Sequence, residues 1–118
     1  MIRMDCKLRE GIELFNQQKF FECHEVIERI WLEAKGSERN FLKSLIQAAA
    51  AFHHVQNKNI SGAKGLFRTS LGYLRVYESE NFGIDIRKLI SNLEQHLEEL
   101  DKNSDVTSGK FPVIDFKD

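Results

Sequence analysis

Proline is almost absent from this chain: the one example, Pro112, lies close to the last of its 118 residues. Proline breaks a helix by removing an amide donor and crowding the preceding turn, so nothing before Pro112 interrupts helical structure. Cysteine is scarce too. Cys6 and Cys23 lack the paired spacings of zinc sites and are too few for a disulfide scaffold; Cys23 reads as a buried free thiol. No run approaches the roughly 20 apolar residues that cross a bilayer, and Met1 to Cys6 lack the apolar core of a secretory leader. No membrane role is expected, and the expected location is cytoplasmic.

Charge of one sign is also missing. Lys and Arg number 17 against 18 Asp and Glu, a net charge of -1, which argues against a polyanionic partner such as nucleic acid. The basic residues Lys58, Lys64, Arg68 and Arg75 read as the solvated side of a helix.

What is present is helical periodicity. Helices are predicted over about residues 5–16, 20–34, 38–56, 60–77 and 85–101, with Gly36 ending the second, Ser37 capping the third and Asn59 capping the fourth. The run Ala48-Ala49-Ala50-Ala51 marks a central helix that neighbours approach closely. Gly62, Gly65 and Gly72 share one side of the fourth helix, where each costs about 1 kcal/mol relative to alanine, and tight helix packing is the expected reason. The fold class predicted is all-α: a compact five-helix bundle of antiparallel helical hairpins in residues 1–101, with an extended C-terminal tail in residues 102–118. Phe111, Val113, Ile114 and Phe116 give that tail an apolar content suited to docking on its own bundle or in a partner's groove.

Helices one and two echo helices three and four at an offset of forty residues. Gly11 corresponds to Ala51, Phe15 to Val55, Phe20 to Ile60, Cys23 to Ala63 and Ile27 to Phe67. Such an echo suggests hairpins of tetratricopeptide type, whose period is about 34, although the tryptophan and proline of that consensus are missing.

One polar group stands out. At about 100° per residue, with Phe20 at the origin, His24 falls at about 40°, on the apolar stripe. Glu28 falls at about 80°, at its edge. Glu22, Arg29 and Glu33 occupy the solvent side, and Glu25 lies between. On the third helix Arg39, Lys43, Gln47 and His54 form one polar arc beside Ala50 and Ala51, with His53 at the core edge. Two readings are open. In one, His24 and Glu28 are a buried pair satisfied by Arg39, Gln47 or His54, because buried carboxylates need partners. In the other, His24, Glu28 and His54 line a small cleft for a ligand or a metal. His24-Glu25-Val26-Ile27-Glu28 lacks the second histidine of a zinc-protease helix, and neither a metal nor a cofactor is expected.

Phe20-Phe21-Glu22-Cys23-His24-Glu25-Val26-Ile27-Glu28-Arg29-Ile30-Trp31 resembles the signature of the bacterial and archaeal family called domain of unknown function 309: two aromatics, Glu, any residue, His-Glu, then Glu and Trp at intervals of three. Arg39, Leu45-Ile46-Gln47-Ala48-Ala49-Ala50, His54, Asn59 and Gly62-Ala63 resemble its second half, with Ser44 and Lys58 standing where glycines are expected. The resemblance covers about residues 10–74. It implies a compact all-helical domain and supplies no activity. It also implies that Glu22, His24, Glu25, Glu28, Trp31, Arg39, Gln47 and His54 belong to one site.

Three functions follow as expectations. The first is a helical module binding an unknown protein or peptide, with a buried His/Glu/Arg/Gln network. The alternative is a small enzyme or ligand-binding protein at His24, Glu28 and His54, although no nucleophile, phosphate loop or oxyanion site accompanies them. The third, nucleic-acid binding, is weakest. A homodimer suits the apolar-rich helices as well as a monomer does.

Overall fold

A computed structural model describes residues 6–80, 82–102 and 111–117. Five α-helices follow in chain order: α1 (Cys6–Asn16), α2 (Phe20–Glu33), α3 (Ser37–Gln56), α4 (Ile60–Leu74) and α5 (Ile86–Lys102), with a 3₁₀ turn at Arg75–Tyr77. The chain is an all-α bundle, and its only β feature among the described residues is the isolated antiparallel bridge Ile84–Phe116. None of the described helices is long and apolar enough to cross a membrane.

Each of the first four helices packs on the next, and α5 packs on α4. Three-residue connections force α1–α2 and α3–α4 into antiparallel hairpins, and their turns share one geometry. Gln18 and Lys58, forty residues apart, both take left-handed backbone, with φ of 64° and 61°. In each turn the next amide reaches back five residues, Lys19 N–H to the Leu14 carbonyl and Asn59 N–H to the His54 carbonyl, both near 2.9 Å. This closes the helix end in the Schellman manner. A glycine is the residue such a backbone favours, which accounts for the glycine expected at position 58. The turn holds with lysine in its place.

The core is apolar and aromatic. Leu8, Ile12 and Phe15 of α1, Phe20, Cys23 and Ile27 of α2, and Phe41, Leu45 and Phe52 of α3 are fully enclosed, as are Phe67, Leu71 and Leu74 of α4 and Leu93 of α5. Burial pushes the Cys23 thiol up to about 12, so it stays protonated and unreactive, while Cys6 is exposed. Small residues set the helix spacing. Ala48, Ala49, Ala51 and Ala63 have no exposed surface. Ser44, also buried, donates its hydroxyl to the Phe41 carbonyl and accepts at its own carbonyl the Ser70 hydroxyl of α4, at 2.8 Å.

Two local expectations are corrected. Ser37 is the first residue of α3 rather than its cap; Gly36 holds that position at a φ of 68°, with no side-chain capping bond. The glycines of α4 do not mark a helix crossing. Gly65 and Gly72 are exposed, and a β-carbon built on either meets nothing within 4 Å, whereas one on Gly62 meets the Asn59 side chain. The close approach lies instead at Gly11 of α1, where a β-carbon would stand 2.7 Å from Ile27 Cγ1. Basic residues of α4 and of the turn after it face α5: Lys64 and Arg68 pair with Asp101, and Arg75 with Glu94.

These glycines give opposite expected outcomes in urea unfolding. Gly65→Ala and Gly72→Ala each stabilise by about 0.5–1 kcal/mol through helix propensity, and Gly11→Ala destabilises by about 1–3 kcal/mol through overpacking. Destabilisation by the α4 changes would restore a packing role for that face.

Candidate functional site

The polar group of the sequence lies on the outer face of the α2–α3 pair, because the enclosed residues of both helices point the other way. Two ring contacts set the register. Near the start of α2, the Phe21 ring sits 5.5 Å from that of His53. Near its end, the Trp31 ring carries the Arg39 guanidinium at 3.9 Å and the Lys43 ammonium at 4.6 Å. The helices therefore run antiparallel.

The Trp31 end is a cap. The Arg39 guanidinium donates to the carbonyls of Trp31, at 3.0 Å, and Ala34, at 3.3 Å. It adds a second donor to the Trp31 carbonyl, which already accepts the Ala34 amide at 3.1 Å, gives the Ala34 carbonyl a donor, and places positive charge at the negative end of the α2 dipole. Lys43 has no carboxylate partner among the described residues.

At the other end, Phe21, His24, Ala50, His53 and His54 line a shallow cleft of about 180 Å³. The His24 and Phe21 rings stack at 6.4 Å. Asn57 Nδ2 donates to His53 Nε2 at 3.1 Å, and Asn59 Nδ2 donates to His54 Nδ1 at 3.0 Å. Asn59 also accepts from the Gly62 amide through Oδ1, so one side chain caps α4 and holds His54 against the turn.

The buried network expected here does not form. The side chains of His24 and Glu28 are 30% and 49% exposed, and they meet at 3.7 Å as an i,i+4 pair. Glu22 and Glu25 are exposed, and Gln47 is half-buried without a hydrogen bond to the others among the described residues. The physical reason is the width of the apolar stripe: Phe20, Cys23 and Ile27 suffice to seal α2, and residues at about 40° to 80° from Phe20 are left at the rim. Among the described residues, His24 Nδ1 alone is an enclosed side-chain atom without a hydrogen-bond partner. His24, Glu28, Trp31, Arg39, Gln47 and His54 thus share one face, with Glu25 at its edge and Glu22 pointing away. Among the described residues no three His, Cys, Asp or Glu side chains are placed to hold a metal.

The family model described as Domain of unknown function (DUF309) matches residues 8–66. The chain belongs to this family. The match takes in all of α2 and α3, and hence the whole outer face, while α5 and the tail lie beyond it. The uncharacterized protein YpuF of Bacillus subtilis (strain 168) is similar, at 29% identity over 109 residues that cover 90% of this chain and 63% of that relative. The chain therefore spans under two thirds of the relative's length.

Phe21, Lys43, Ala50 and His53 complete this DUF309 face and were not among the candidates. The signal was available for Phe21: it falls at about 100° from Phe20, an aromatic outside the stripe and beside Glu28, and it is 50% exposed.

An exposed ion pair contributes little, so Glu28→Gln is expected to change the unfolding free energy by less than about 0.5 kcal/mol. Arg39→Ala is expected to cost about 1–2 kcal/mol through the donor lost at the Ala34 carbonyl and the lost contact with Trp31. A loss above about 2 kcal/mol for Glu28→Gln in urea titration would reinstate the buried network.

Proposed function

We propose that this DUF309 domain is a cytoplasmic protein-interaction module that takes an amphipathic helix of a partner along the α2–α3 face. The observation that carries the reading is the pairing of exposed apolar anchors with a cleft of side-chain size. Phe21 and Leu32 are 50% and 65% exposed. Eleven residues apart, they share one side of α2 and span about three helical turns. Exposed apolar residues clustered on one face mark interaction surfaces. The cleft beside Phe21 holds about 180 Å³, below the roughly 300–1,000 Å³ of small-molecule sites. It suits one inserted apolar side chain. Two antiparallel helices with a furrow between them accept a third in the helix-in-groove mode. Lys43 would meet an acidic residue of the partner, and Glu25 and Glu28 basic ones.

The second reading, a small acid–base enzyme, rests on the His24–Glu28 contact at 3.7 Å beside a cleft that His54 also lines. His54 Nδ1 is already engaged by Asn59, and no nucleophile stands beside the pair, which favours the interaction module. Localisation to the cytoplasm is supported by two unpaired cysteines.

A photo-crosslinking phenylalanine analogue at Phe21 is expected to give discrete protein adducts in cells, lost when Leu32→Asp is added and absent when the analogue replaces exposed Val76. Equal labelling from both positions would contradict the proposal. A thermal shift by small metabolites that His24→Ala removes would favour the enzyme.

A further inference from the structure

Residues 111–117 lie against the bundle away from the α2–α3 face, and the way they are held is a pattern of peptide recognition. Asn16, the last residue of α1, grips the backbone of Ile114 from both sides: Nδ2 donates to its carbonyl at 3.0 Å, and Oδ1 accepts from its amide at 2.7 Å. The Asp85 amide donates to the Asp115 carbonyl and the Lys117 amide to the Gly83 carbonyl, each at 2.9 Å, flanking the antiparallel bridge between Ile84 and Phe116. Four hydrogen bonds therefore read main chain alone and would be met by another extended segment.

Side-chain selectivity is layered on that frame. The Phe111 ring packs on Phe20 at 5.3 Å and Phe52 at 5.7 Å. Ile114 is buried. The Asp115 carboxylate pairs with Lys88, and the Arg9 guanidinium covers the Phe116 ring at 4.3 Å. Val113, between the two anchors, points to solvent. The groove thus reads an aromatic residue, then after half-buried Pro112 and one solvent-facing position an aliphatic residue, an acid and an aromatic. Main-chain pairing with alternate side-chain pockets is how an exposed strand edge captures a peptide.

We propose that this groove binds in trans an extended segment of a partner protein with that same order of side chains, and that residues 111–117 are its tethered competitor. A tether gives the chain's own segment an effective concentration of about millimolar. A free segment of about 10 μM intrinsic affinity is therefore held off by about 100-fold, and a partner gains access when the tail is displaced.

The test uses the full chain and a fluorescent synthetic peptide of residues 110–118. Ile114→Asp removes the tail's buried anchor and leaves the groove intact. Anisotropy titration should show this variant binding the wild-type peptide about 100-fold more tightly than the wild-type chain does. Adding Asn16→Ala should abolish that binding, as should Ile114→Asp in the peptide. Ile114→Ala, a milder change, should fall between the two chains. Absence of binding by folded Ile114→Asp, judged by its helical circular dichroism, overturns the proposal. So does unfolding of both Ile114 variants, since the tail would then be part of the core rather than a replaceable ligand. A wild-type dimer with exchanged tails would make a second copy the occupant and overturn the assignment to a partner.

Discussion

The fold depends on the packing of rings around Phe52. That side chain, fully buried near the end of α3, meets Phe15 of α1 at 5.6 Å, Phe20 of α2 at 5.3 Å, Phe67 of α4 at 4.9 Å, His96 of α5 at 5.1 Å and Phe111 of the tail at 5.7 Å. Every one of these segments therefore contributes an aromatic to the same point. Most of the pairs are edge-on, the arrangement that sets the positive ring edge against a negative face, and each adds about 0.5–1.5 kcal/mol beyond its area burial. Burial among these rings lowers the His96 pKa, against the pull of Glu99, so the imidazole joins the cluster as a neutral aromatic.

The position of that cluster explains why the outer α2–α3 face carries few of the large apolar side chains. With the aromatic side chains drawn to the inner surface, the outer surface of the pair carries only what its ends need: Arg39 closing α2 over Trp31, and Asn57 and Asn59 holding the two histidines beside the turn. Between these ends lie the polar side chains of His24, Glu28 and Gln47. Phe21, against only the edge of α3 at His53, and Leu32 stay exposed, while Phe111 and Ile114 occupy the other apolar opening.

The helices were legible because 3.6-residue periodicity and turn residues act locally; boundaries at Asn16, Phe20, Gln56 and Ile60 agree with the pattern, and Asn59 caps α4 as its side chain suggests. Residues whose environment depends on distant segments were less legible. Glu28 lies at the edge of the apolar stripe on a helical wheel, and its exposure is set by how much of α2 its neighbours cover. Gly65 and Gly72 look like a crossing point, but α5 approaches α4 from another side. Phe52 is one phenylalanine among nine in the sequence, and nothing local announces that five segments converge on it. The family signature names His24, Glu28, Trp31, Arg39, Gln47 and His54 without saying whether each is open or enclosed, because that depends on packing that no motif encodes.

If the ring cluster is what joins the segments, its removal should loosen all of them together. Equilibrium unfolding of Phe52→Ala in urea, followed both by helical circular dichroism and by hydrogen exchange at the Ile114 amide, tests this directly. A loss of about 3–5 kcal/mol, with protection of the tail lost no later than the helices melt, is the result the account predicts. A loss below about 1 kcal/mol, or a tail that keeps its protection after the helices melt, would contradict it.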